Sequence, residues 1–132
     1  MRVHATAALL AILLGACAPV PVIAPAATGK GASEVSRLVA ASEAKQFPCN
    51  IGGVKGVGDT AAVESAPGRA SEVTLLPGRY QVTLSCSSGF HEFKPETEVV
   101  ARAGKVYTLT GYLIDDSITI FNMKMRIKVA EK

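Results

Sequence analysis

Three cysteines and two histidines bound the side-chain chemistry open to this chain. Cys17 follows Leu14-Gly15-Ala16 and is the only good nucleophile in that stretch, because a thiolate accepts a transferred group far more readily than a hydroxyl. Cys49 and Cys86 form a second, separate pair. His91 has Ser87, Ser88 and Glu92 close by, but catalysis by a nucleophile and base needs an orienting acid arranged in space. Neighbours along one turn do not build a triad, so His91 reads as an exposed turn histidine. His91-Glu92 also lacks the second histidine of a zincin helix. Ser42-Glu43-Ala44-Lys45 has the S-x-x-K spacing of penicillin-binding enzymes without their partner motifs or the large domain around them. The glycine-rich run Ile51–Gly58 lacks Walker spacing and reads as a bent edge strand or flexible loop. Asp115-Asp116 offers too few oxygens for a calcium shell. The expectation is a protein that is not an enzyme and uses no metal.

The residues before Cys17 explain its setting. Arg2 and His4 precede an apolar run, Ala5 to Leu14, and small residues follow it. This is the order of a secretory signal peptide. The run is too short for a membrane-spanning helix, which needs about 20 residues. Leu14-Gly15-Ala16-Cys17 resembles the lipobox of bacterial lipoproteins, with an ordinary cleaved signal and a chance cysteine as the alternative. The resemblance implies cleavage after residue 16 and acylation of Cys17, a covalent lipid in place of any cofactor. Each buried acyl CH₂ adds about 0.8 kcal/mol of membrane affinity. Ala18 after the cysteine implies sorting to the outer membrane, on the periplasmic side.

Removing Arg2 from 14 basic residues leaves 13 against 11 acidic, a mature charge of about +2. That is too mild to argue for nucleic acid. In an oxidising compartment Cys49 and Cys86 read as a disulfide. Closing their loop is worth roughly 3–4 kcal/mol in the chain-entropy model. Two free buried thiols or a metal pair are the alternatives, although two cysteines with no nearby histidine make a poor zinc site.

These residues must be held by a scaffold. Residues 17–32 hold three prolines and two glycines among alanines and valines, and read as a flexible linker behind the anchor. Residues 33–46 read as a short helix capped by Ser33, with Val35, Leu38 and Val39 as a thin apolar stripe, or as more linker. Residues 47–132 read as a β domain. Leu76-Pro77-Gly78-Arg79 predicts a type II turn with positive φ at Gly78. Arg79–Cys86 alternates, with Tyr80, Val82, Leu84 and Cys86 on the inner face. Further strands are predicted over Glu96–Arg102, Lys105–Ile114 and Ile118–Val129. In the last, Thr119, Phe121, Met123, Met125, Ile127 and Val129 face one way, and Lys124, Arg126 and Lys128 face the other. Alternate residues on one strand face lie about 6.6–6.8 Å apart. The cations form a basic stripe that fits an anionic lipid or an acidic partner, or simply a solvated face guarding an edge. Phe90 and Phe93 flank a turn and predict a small exposed patch. The pattern as a whole predicts an all-β fold, a small antiparallel β-sandwich.

Pro77-Gly78-Arg79-Tyr80-Gln81-Val82, Gly89-Phe90, Val99-Val100-Ala101-Arg102-Ala103-Gly104 and Leu109 resemble a PEGA-type repeat over residues 73–113. The resemblance implies a transthyretin-like sandwich serving as a non-catalytic envelope module. The expected partners are the membrane, through the lipid anchor, and an envelope protein complex or anionic lipid.

Overall fold

The computed structural model describes residues 20–58, 70–114 and 123–132. Cys17, the signal-like segment and Asp115-Asp116 lie outside the described residues, as does the first part of the strand expected from Ile118. The described chain is all β apart from one 3-10 turn at Pro25–Ala27. Its strands are β1 (Val20–Ile23), β2 (Ser36–Ser42), β3 (Cys49–Gly56), β4 (Ala70–Leu75), β5 (Gly78–Ser88), β6 (His91–Phe93), β7 (Glu96–Ala101), β8 (Val106–Ile114) and β9 (Lys124–Glu131).

The strands run in the order β6–β5–β3–β4–β2–β8–β9, with β7 also on β5 and β1 also on β4. The sheet folds over at a single bridge, Ile51 to Ala70, so that its two halves enclose one core. One half contributes Ile51, Val82, Leu84 and Cys86. The other contributes Leu38, Val73, Leu75 and Leu109. All eight are fully buried. Burial of each large side chain is worth roughly 1.5–3 kcal/mol, so the interleaving of these two sets is what holds the halves together. The alternation expected over Arg79–Cys86 is present without a break. The ion pair between Arg102, just past β7, and Glu131 on β9 brings the two outer strands together at one end. The result is a nearly closed, barrel-like sandwich.

Four expectations are corrected. Ser36–Ser42 is a strand, not a helix: β2 lies between β4, antiparallel, and β8, parallel. Two flanking ladders satisfy its backbone on both edges, which outweighs the weak helical stripe. The expected linker is part of the domain from Val20 onward. β1 pairs with β4 in parallel, and Ala24 and Ala27 are buried. Pro21 is tolerated because β1 is an edge strand with one partner. The sandwich is therefore mixed rather than purely antiparallel, with parallel pairs β1–β4 and β2–β8. Finally, β3 is not an edge strand. It sits between β5 and β4 and bulges at Gly52, where an added Cβ would stand 3.3 Å from Cβ of Ser85.

The corner at Leu76-Pro77 crosses between the halves rather than forming a hairpin. Gly78 is not in the positive-φ region, whereas Gly89 and Gly104 are, at +57° and +76°. Two tyrosines tie the crossings. Tyr80 Oη donates to the Leu76 carbonyl at 2.6 Å, and Tyr107 Oη accepts from the Arg102 N–H at 2.8 Å. This is the device by which a buried tyrosine fixes a corner in many β-sandwiches. Ser36, fully buried, donates its Oγ proton to the Arg102 carbonyl at 2.6 Å and completes the second corner.

Candidate functional site

The paired cysteines resolve first. Cys49 on β3 and Cys86 on β5 are direct cross-strand partners with Cα atoms 4.1 Å apart, and their sulfurs are bonded. Strand alternation points Cys86 into the core, and the register delivers Cys49 to it. The bridge is buried among apolar groups and performs a structural task. Next to it Phe93 packs edge-on against Phe47, with ring centroids 5.1 Å apart. The expected exposed patch of Phe90 and Phe93 is thus reduced to Phe90, which is 99% exposed at the tip of the β5–β6 hairpin.

The basic stripe lies on β9, the last strand of the order, which pairs only with β8 among the described residues. Lys124, Arg126 and Lys128 are exposed, and Met125 between the first two is buried. Their cross-strand partners on β8 are Ile114, Tyr112 and Thr110. The three cations are not equivalent. Lys128 is ion-paired with Glu43, just beyond β2, and its Nζ lies 5.7 Å from the centre of the Tyr112 ring. Lys124 and Arg126 make no ion pair among the described residues. The stripe therefore offers two available charges. Sequence alternation finds the lysines and arginine but gives no signal for Glu43, which is 85 positions from Lys128.

A second feature, missed in the sequence, is a polar cleft of about 590 Å³ where the β5–β6 hairpin meets β3. Asn50, Ser85, Ser87, Phe90, His91 and Glu92 line it. A smaller recess of about 280 Å³ adjoins it and shares Ser85 and Glu92. Ser85 Oγ donates to Glu92 Oε1 at 3.0 Å, and Lys94 Nζ stands 3.8 Å from the same oxygen. Glu92 is thus engaged by Ser85 and Lys94. His91 is exposed on the short strand β6, and its side chain makes no hydrogen bond among the described residues. The cleft presents donors and acceptors to a ligand surface, but its groups are not linked into a nucleophile–base–acid relay.

The shifted ionisations lie elsewhere and are structural. Arg37 is held above its ordinary value by its hydrogen bond and charge contact with Glu72, and Arg102 by Glu131 and then Tyr107. Burial raises Tyr80. Among the described residues no three metal-ligating side chains converge, and no helix is long and apolar enough to cross a membrane. No protein family model matches the chain, and searches of curated proteins and of solved structures find no match.

Proposed function

We propose that this chain is a membrane-anchored envelope lipoprotein, acylated at Cys17 and facing the periplasm from the outer membrane. In this reading it serves as a non-catalytic structural or protein-interaction module. The observation that carries the reading is the disposition of the three cysteines. Cys49 and Cys86 are bonded to each other inside the core, which leaves Cys17 as the thiol open to acylation. A buried cross-strand disulfide also fits an oxidising compartment. The position of Cys17 after Leu14-Gly15-Ala16 supplies the recognition sequence. The cleft, a hydrogen-bonding surface without a relay, fits contact better than turnover.

A ligand module that reads anionic lipid or lipopolysaccharide through the basic stripe is the second reading. Lys124 and Arg126 favour it, while the Glu43–Lys128 pair weakens it by removing one cation.

The test is the mass of the mature protein from cells, with Cys17→Ser beside it. The expected result is a chain beginning at Cys17 and heavier by its acyl groups, with the variant unacylated and released from membranes. A mature chain without acyl mass, or a Cys17→Ser variant that still partitions with membranes, overturns the reading.

A further inference from the structure

We infer that the end of the sandwich where Val20 enters rests on the membrane, as a docking face for anionic phospholipid. Phe90 reaches the interface, and Lys124 and Arg126 meet headgroup phosphates. The inference builds on the lipid anchor proposed above and adds which face of the domain meets the bilayer.

Chain length is the first argument. Val20 is three residues after Cys17 and already belongs to β1. A chain extends at most about 3.3–3.6 Å per residue, so an acylated Cys17 stands within about 11 Å of Val20. The linker that would let the domain stand off is absorbed into the fold, and the domain is held close to the lipid.

Strand register says what shares that end. Val20 pairs with Ala70. The β2–β4 register, continued two residues, puts Ala70 level with Ala41, which pairs with Thr110, which pairs with Lys128. β1 and β4 run away from this level. Lys124 lies four residues to its other side, about 13 Å towards the membrane at 3.3 Å per residue. Arg126 is halfway. The two cations, which make no ion pair among the described residues, therefore project past the point of chain arrival.

The hairpin arrives at the same end independently. β5 begins three residues after the last residue of β4, at the far end of the sandwich, where Tyr80 bonds Leu76. By Cys86 it faces Gly111, which pairs with Ile127, one residue beyond the level of Lys128. β5 thus runs towards the Val20 end, and the turn at Gly89-Phe90 extends further still. An aromatic ring wholly in water at a loop tip has no role in the core. At a bilayer interface its apolar surface is removed from water. Val20 on β1, exposed by 53%, adds apolar surface at that end. Each cation near an anionic surface contributes about fivefold in affinity.

The chain contains no tryptophan, so a single introduced one reports its own surroundings. Phe90→Trp and, as a reference on β7 at the opposite end, Val100→Trp are placed in the full acylated chain. Each is reconstituted in vesicles of phosphatidylethanolamine and phosphatidylglycerol. The expected result is a blue-shifted emission for Phe90→Trp, quenched by brominated lipid and shielded from acrylamide, with Val100→Trp left in water. Adding Lys124→Glu and Arg126→Glu reverses the shift. In the Cys17→Ser background the same charge reversal weakens vesicle binding by about tenfold or more. An acylated chain whose Phe90→Trp indole stays in water overturns the docking and leaves the anchor standing. A chain with no acyl group on Cys17 overturns both. A shift that requires another envelope protein assigns this end to a protein partner and also overturns the inference.

Discussion

A β-carbon on Gly111 would stand 2.6 Å from Sγ of Cys49. Cys86 Sγ, at 3.2 Å, and Met125 Sδ, at 3.3 Å, close the same space. Gly111 on β8 is thus the seat for the disulfide of the facing half-sheet. Its missing side chain lets the two halves approach where the bridge is bulkiest. Gly111→Ala is expected to destabilise the domain by about 1–3 kcal/mol, the usual cost of overpacking a filled core. The cost is expected to shrink in a Cys49→Ala, Cys86→Ala background, because the clashing sulfurs are gone. Thermal unfolding of the four combinations measures that coupling. Additive losses would show that Gly111 is required for another reason.

The disulfide itself is expected to contribute about 2–5 kcal/mol, as bridges do in small secreted domains. Loss of either cysteine also leaves its partner thiol buried beside Gly111. Thiol titration of the denatured, unreduced chain is expected to find neither Cys49 nor Cys86 free. An unchanged melting temperature in the Cys86→Ser variant would contradict the packing described above.

How much of this was legible depended on whether a residue's partners were local. β5 was readable because one of its faces is wet and the other dry, so alternation shows in the sequence. β2 was not. Val35 and Leu38 are buried and Val39 half-buried, which imitates a helical stripe, and the ladders that make the segment a strand come from β4 and β8 far along the chain. β1 was masked by Pro21, whose missing N–H is harmless only because β1 lies at an edge. At the surface, the lysine and arginine stripe was visible, whereas the neutralising Glu43 was not. The cleft was invisible because Asn50 and His91 meet only after β3 pairs with β5 and β5 turns into β6.

The Tyr80 corner predicts a specific alkaline instability. Burial raises Tyr80 above its ordinary value of 10.0, so the folded state keeps the phenol proton when the unfolded state has lost it. Above pH 10 the unfolded chain binds fewer protons than the folded one, and stability falls as pH rises towards the raised value. Below pH 10 this contribution is fully present. Tyr80→Phe is expected to cost about 1 kcal/mol at neutral pH by orphaning the Leu76 carbonyl. It is also expected to flatten the alkaline limb of a stability profile recorded by urea unfolding. A limb of unchanged steepness would place its origin in another group.

Glu43 decides how many charges β9 presents. Its carboxylate holds Lys128, so in the proposed docking the strand would offer an anionic surface Lys124 and Arg126, the two of its three stripe cations with no ion pair among the described residues. Glu43→Gln removes the competing charge and leaves the backbone bond from Glu43 N–H to the Gly111 carbonyl intact. The pair is exposed on both sides, and exposed pairs contribute about 0–1 kcal/mol, so the melting temperature is expected to move little. Binding of the Cys17→Ser chain to phosphatidylglycerol vesicles at low salt is expected to tighten by at most about fivefold, the contribution of one cation at the surface, because Lys128 stands behind Lys124 and Arg126 on β9. That gain is expected to vanish at high salt, where the Debye length shrinks to about 3 Å at 1 M. Vesicle sedimentation across a salt series makes the measurement. If Glu43→Gln leaves binding unchanged at low salt while Lys124→Glu weakens it, Lys128 lies off the contact and the docking end stops at Arg126. If neither changes binding, the β9 cations serve only to keep an open strand edge from pairing with another chain.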